Sequence, residues 1–189
     1  MHTAQTTYQM LDNQTLWTTA VDCHAALQAV GVPHAIVGGV AVCLHGYRRN
    51  TVDLDMLIRA EDQPKVKAAL ESSGYTWSTE QAEFRGPSGI PVQFVLSGER
   101  AGKGTEVRLP DPEQPGVAVE IEGLSVVDLA RLIEIKLACG LGSPRRTHRD
   151  LADVVELIAA HQLSRSFARH LHKSLRPAFR ELVLRSRTS

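Results

Sequence analysis

The chain has 189 residues, of which 43% are hydrophobic and 22% charged, a balance ordinary for one globular domain with a full core. Its 21 basic and 21 acidic residues cancel, so global charge recruits neither nucleic acid nor a membrane surface. Nothing approaches the about 18 consecutive apolar residues of a membrane span, and Met1 to Gln14 lacks the basic-then-apolar order of a secretory signal. Cys23, Cys43 and Cys139 lie in apolar helical patterns without metal-ligand spacing, so they read as buried free thiols, and the expected setting is cytoplasmic.

In chain order, residues 12–30 place Leu16, Ala20, Cys23, Leu27 and Val30 at helical spacing, ending at Gly31. The apolar run His34-Ala-Ile-Val, between Pro33 and Gly38-Gly39, suits a buried strand, and Val40 to Gly46 a short helix. From Thr51 to Arg59, Val52, Leu54, Met56 and Ile58 alternate with Asp53, Asp55 and Leu57, a strand whose second face carries two acids. Glu61 to Ser73 predicts an amphipathic helix stopped by Gly74. Residues 75–77, 83–85, 91–96 and 117–121 are candidate strands, and 97–116, rich in Gly and Pro, predicts an exposed loop or hairpin. From Ser125 the pattern is helical in three segments, 125–139, 146–161 and 164–187, the last with a break at Pro177. The expected fold class is therefore α/β (α+β). A mixed sheet flanked by helices spans residues 1–122, and a helical region, 123–189, packs on it in one compact unit.

Local charge departs from neutrality in the last segment, where Arg165, Arg169, Lys173, Arg176, Arg180, Arg185 and Arg187 face a single acid, Glu181. Two readings stand: a solvated helix face, or an electrostatic footprint for RNA or a nucleotide.

The chemistry concentrates between residues 36 and 58. Side chains two apart on a strand project to one side, so Asp53 and Asp55 stand roughly 6.5–7 Å apart on one face. Two such carboxylates repel and resist desolvation unless a cation joins them, and hard oxygen ligands favour Mg²⁺. Gly38-Gly39 ends one strand and opens a helix, where backbone N–H groups can meet phosphate oxygens with no Cβ in the way.

The stretch IVGGVAVCLHGYRRNTVDLDMLI resembles the signature of the nucleotidyltransferases with the DNA polymerase beta type of fold. Its inner part reads Arg49-x-Thr51-x-Asp53-x-Asp55. Residues 124–158 are similar to the C-terminal helices of the abortive-infection toxin branch, with Lys136, Arg146, Arg149, Asp150 and Asp153 at the matching positions. The resemblance implies a nucleotidyltransferase-type sheet and transfer of a nucleoside monophosphate from an NTP to an acceptor hydroxyl on RNA, tRNA, protein or a small molecule. It also implies Mg²⁺ on Asp53 and Asp55, with Gly38, Gly39, Arg49 and Thr51 on the nucleotide side. Lys136 then contacts the triphosphate, Asp150 lines the site or orients Lys136, and a cognate antitoxin enters as a partner.

Family members carry a third carboxylate on a later strand, and its position here reads Gln93, an amide that brings no charge and cannot act as a base. Glu83 and Glu120 are the candidate replacements on neighbouring strands. The alternative is therefore a catalytically degenerate member that binds nucleotide or a partner. Blander alternatives stay open for single residues. Asp53 and Asp55 can also be read as solvated edge-strand acids paired with Arg48 or Arg49, Lys136 as a snorkelling lysine, and Arg149, Asp150 and Asp153 as helix-surface or inter-helix salt bridges. His45 and His148 read as local hydrogen-bonding residues.

Overall fold

The computed structural model describes residues 14–186. Helix α1 (Gln14–Ala29) buries Leu16, Trp17, Ala20, Cys23 and Leu27 on one stripe. Val30 falls outside the helix and stays 45% exposed, because the chain turns away at Gly31 before the stripe comes round again. Strand β1 (His34–Val37) is buried throughout, and α2 (Gly38–Leu44) follows without a connecting residue. Strand β2 is Leu54–Ile58 and helix α3 is Gln63–Ser72, the latter entered through a 3-10 turn at Ala60–Asp62.

Four strands follow: β3 (Thr76–Ser78), β4 (Glu83–Arg85), β5 (Pro91–Leu96) and β6 (Ala118–Ile121). A seventh, β7 (Leu124–Val127), lies where the sequence predicts helix from Ser125. The helix, α4 (Leu129–Gly142), starts four residues later behind an Asp128 cap whose carboxylate accepts from the Arg131 N–H. The pairing of β6 with β7 is the reason: four registered positions from Ala118↔Val127 to Ile121↔Leu124 outweigh helical propensity over a run of β-branched valines. Helix α5 (Pro144–Ala160) packs on α4. The last segment is not one long helix but two 3-10 turns, Arg165–His170 and Lys173–Leu175, and then α6 (Arg176–Arg185). Pro177 opens α6 rather than breaking it, in the first turn where its missing N–H costs no hydrogen bond. Arg187 lies outside the described residues.

The seven strands form one mixed sheet in the order β3-β4-β5-β2-β1-β7-β6. Strands β1 and β2 are antiparallel, while β2 with β5 and β1 with β7 are parallel. The register sets Val37 opposite Asp55, and Asp55 opposite Gln93. One core of aliphatic side chains from α1, β1, α2, β2 and α4 fixes the central strands and therefore the side chains at their ends. Among the described residues no helix is long and apolar enough to cross a membrane, and all three cysteines are free thiols.

Candidate active site

A cleft of about 510 Å³ opens where β1, β2 and β5 meet α4 and α5. Asp53, Asp55, Gly38, Gln93, Lys136, Arg146 and Arg149 all line it. Asp55 is on β2, but Asp53 is not: the strand starts at Leu54 rather than at Thr51 as the alternation predicts, and Val52 is exposed ahead of it. The Thr51 hydroxyl donates to Asp53 Oδ1 at 3.0 Å and so holds one carboxylate in place. Burial pushes the Asp55 carboxyl above the usual aspartate range and Asp53 adds to the rise, partly countered by Lys136, Arg146 and Arg149. Two acids on one wall, one of them reluctant to ionise, are a fitting donor set for a hard divalent cation.

The two glycines do different work. Gly38 faces the cleft at φ +67°, and a Cβ there would fall 2.0 Å from Asp55 Oδ2. Gly39 is buried behind it, where a Cβ would meet Thr51 Oγ1 at 2.3 Å and Arg49 Nη2 at 2.9 Å. The space freed by the missing side chains is thus filled by the protein's own Asp55, Thr51 and Arg49. Only Gly38 of this pair lines the cleft, and Thr51 and Arg49 stand behind the wall as its support.

Between α4 and α5 lies an ionic network. Lys136, only 4% exposed, places Nζ 2.9 Å from Asp150 Oδ1 and 2.8 Å from Asp153 Oδ2. Arg49 Nε stands 2.8 Å from Asp153 Oδ1, and Arg146 Nε 3.1 Å from Asp150 Oδ2. Three cations therefore share two carboxylates, leaving a positive surplus beside the paired aspartates. An ammonium has three donors and these pairs take two, so one N–H of Lys136, a residue that lines the cleft, stays outside them. Arg146 and Arg149 are exposed at the cleft edge, where an anion can reach them without breaking a buried pair. His45 Nε2 donates to Val127 O over 2.8 Å inside the fold, while His148 is exposed on α5.

Sequence reasoning missed the far wall. Of the loop or hairpin expected over 97–116, the hairpin-like pairing is present but the exposure is not: Gly98 N–H donates to Leu109 O and Ala101 N–H to Val107 O, and Ala101, Val107 and Leu109 are buried. Two glycines permit this docking, since a Cβ on Gly102 would lie 2.3 Å from Ala138 O, and one on Gly142 2.5 Å from Lys103 O. The docked segment brings Glu99, Arg100, Ala101 and Leu109 to the cleft. The alternation of Val107 and Leu109 was the available signal, obscured by the surrounding Gly and Pro. Of the proposed replacement acids, Glu120 is exposed on the edge strand β6, three strands away from β2. Glu83 is buried on β4 and engaged by Arg85 and Gln93.

The family model described as aminoglycoside-2''-adenylyltransferase matches residues 20–122, the stretch that carries the glycine pair, both aspartates and Gln93. A search of the curated proteins finds no match. Among solved structures, ANT(2'')-Ia in complex with adenylyl-2''-tobramycin is similar over 91% of this chain and 98% of its own, at 17% identity and a TM-score of 0.54. The solution structure of the antibiotic-resistance factor ANT(2'')-Ia is similar over 92% and 94%, at 16% identity and a TM-score of 0.51. JHP933 from Helicobacter pylori is similar over 83% and 72%, at 19% identity and a TM-score of 0.54. At these identities the likeness is one of fold. None of the three is described as a toxin.

Proposed function

The chain belongs to the aminoglycoside-2''-adenylyltransferase family and has the nucleotidyltransferase fold, and from that premise we propose that it moves a nucleoside monophosphate from an NTP to an acceptor hydroxyl. The observation that carries the reading is the convergence of Asp53 and Asp55 with a cationic rim in one cleft. In the reaction, the acceptor oxygen bonds to the α-phosphorus, the bond to the bridging oxygen breaks, and pyrophosphate leaves with the electron pair. Asp53 and Asp55 would hold Mg²⁺, which when bound supplies charge neutralisation at the phosphates. Arg146, Arg149 and the remaining N–H of Lys136 receive the leaving phosphates, a role that rests on preset charge rather than covalent chemistry. Gln93 cannot take the hydroxyl proton. Glu99 is the cleft carboxylate outside the aspartate pair and takes it in this reading.

For the acceptor, a small polyhydroxylated amine fits better than RNA. Glu99 offers an amine a carboxylate, and ANT(2'')-Ia was captured with an adenylylated aminoglycoside. The basic C-terminal segment is partly spent on internal contacts, with Arg176 donating to Leu171 O and Arg169 O, and Arg185 to Glu181. The test is incubation with α-labelled ATP, Mg²⁺ and, separately, aminoglycosides, total tRNA and lysate protein. Label on an aminoglycoside, lost in Asp53→Ala, supports the reading. Label on RNA or protein moves the acceptor, and a stable complex with a small co-expressed protein points to an antitoxin.

Gln93 favours a second reading, a member that binds nucleotide without turnover. ATP binding by folded protein, with no transfer to any acceptor and transfer gained in Gln93→Asp, selects it.

A further inference from the structure

Three polar side chains stand in a row across the sheet. Strand β5 lies between β4 and β2, Asp55 is registered opposite Gln93, and the Phe84↔Val92 pair carries Glu83 to the other side of Gln93. Neighbouring strands are about 4.8 Å apart, so each side chain reaches the next. Glu83 is 5% exposed, and both of its oxygens are committed: Arg85 Nη2 lies 2.6 Å from Oε1, and Gln93 Nε2 donates to Oε2 at 3.2 Å. It is a neutralised carboxylate in the second rank, not a replacement acid.

Its position decides the orientation of the amide. A carboxylate held by an arginine only accepts hydrogen bonds, so the end of Gln93 that faces Glu83 is the nitrogen. The amide is planar with oxygen and nitrogen on opposite branches, which turns Oε1 from β4 towards β2. Gln93 lines the cleft with Asp55, and Glu83 does not. Among the described residues Gln93 makes no other side-chain hydrogen bond. A carbonyl oxygen turned towards a half-buried carboxylate sets two acceptors against each other, an opposition that a hard cation relieves.

We infer that Glu83 is a positioning residue that presents the Gln93 carbonyl oxygen as a neutral third ligand to a divalent cation held by Asp53 and Asp55, an inference that rests on the reading of those aspartates given above. The site then contributes two protein charges instead of three. It takes the bare cation weakly and takes it well together with a triphosphate, whose oxygens supply the missing charge. Outer-shell hydrogen bonds of this kind set ligand orientation, and their loss typically lowers metal affinity by 10–100-fold.

The test is Mn²⁺ binding followed by electron paramagnetic resonance, with and without α,β-methylene ATP, on the wild type, Gln93→Leu, Glu83→Gln and Asp55→Asn. Expected are tighter Mn²⁺ uptake with the nucleotide, and losses of about tenfold in both Gln93→Leu and Glu83→Gln. In addition, the side-chain amide resonances of Gln93 shift when Mg²⁺ and the analogue are added to wild type, a response that needs no variant to fold. Wild-type affinity in Gln93→Leu while Asp55→Asn has lost the ion, or a Gln93 amide that does not respond, overturns the inference and leaves the aspartate reading intact. A wild type that takes up no Mn²⁺ even with nucleotide overturns both.

Discussion

Gly38 and Asp55 compete for one volume: the position a Cβ would take on Gly38 is 2.0 Å from Asp55 Oδ2 and 2.9 Å from Asp55 Cβ. The contact explains why a glycine ends β1, since the β2 acid can approach the cleft floor only where the facing residue has no side chain. Gly38→Ala is predicted to displace Asp55 in addition to paying the left-handed backbone cost of about 1–2 kcal/mol. Gly31 is the control: its φ is +66°, and nothing stands within 4 Å of its Cβ position. Thermal melts of both alanine variants isolate the collision as the extra loss in Gly38→Ala, which alone loses Mg²⁺-ATP binding. Equal melts and intact binding would refute the account.

Removing the ammonium at Lys136 strands two carboxylates that are 1–2% exposed. Arg49 and Arg146 remain as partial partners, so Lys136→Met is expected at the lower end of the cost of breaking a buried pair, about 3 kcal/mol. For a chain of this size that is a fall in Tm of about 6–12 °C. A fall of under about 2 °C would show that the network is not holding α4 to α5.

Asp55 supplies a prediction of opposite sign. Its folded-state pKa is raised, so the folded protein holds the proton more tightly than the unfolded chain does, and ionisation costs stability. The cost is absent below the ordinary aspartate pKa, grows as pH rises to the raised value, and is complete above it. Asp55→Asn therefore raises Tm at neutral pH, and the gain shrinks as pH falls through that window. Urea midpoints at several pH values measure it, and a destabilised Asp55→Asn at neutral pH would contradict the assignment.

Acid sensitivity should arise on the other side of the sheet. His34 Nδ1 is 2.7 Å from Val32 O, which requires a proton on that nitrogen, so Nε2 accepts from His24 Nδ1 at 2.8 Å. Burial lowers the His34 pKa first and foremost, and the His24 charge lowers it further. Stability from this neutral pair is complete above the unfolded histidine pKa and is lost as pH falls towards the lowered folded value. His34→Gln should flatten the decline in Tm below neutral pH, and an unchanged slope would assign the decline elsewhere.

Much of this arrangement was legible before coordinates. The Leu16–Leu27 stripe, the HAIV run and the Leu54–Met56–Ile58 alternation are periodicities, and they survive into structure where one face is buried; the same alternation fails at Val52, which is exposed ahead of the strand. The position opposite Asp55 was also readable as Gln93. What stayed hidden depends on partners distant in sequence. LSVV is compatible with a helix until Ala118–Ile121 pairs with it, and Asp128 marks the true helix start only once that pairing is known. The glycines of 97–116 read as turns of an exposed loop or hairpin, although Gly102 is there to touch the backbone of α4. Lys136, Asp150 and Asp153 could be identified by type, but their depth, and with it the difference between a phosphate ligand and a structural ion pair, is a property of the packed helices.

The central claim is that Asp53 and Asp55 together bind a cation–triphosphate complex. Calorimetric titration of ATP into the folded protein with Mg²⁺, then with EDTA, then into Asp53→Ala, tests it most directly. Saturable binding in Mg²⁺ that disappears both with EDTA and in Asp53→Ala is the predicted result. Binding of equal affinity in all three would place the nucleotide elsewhere and remove the basis for the proposed reaction.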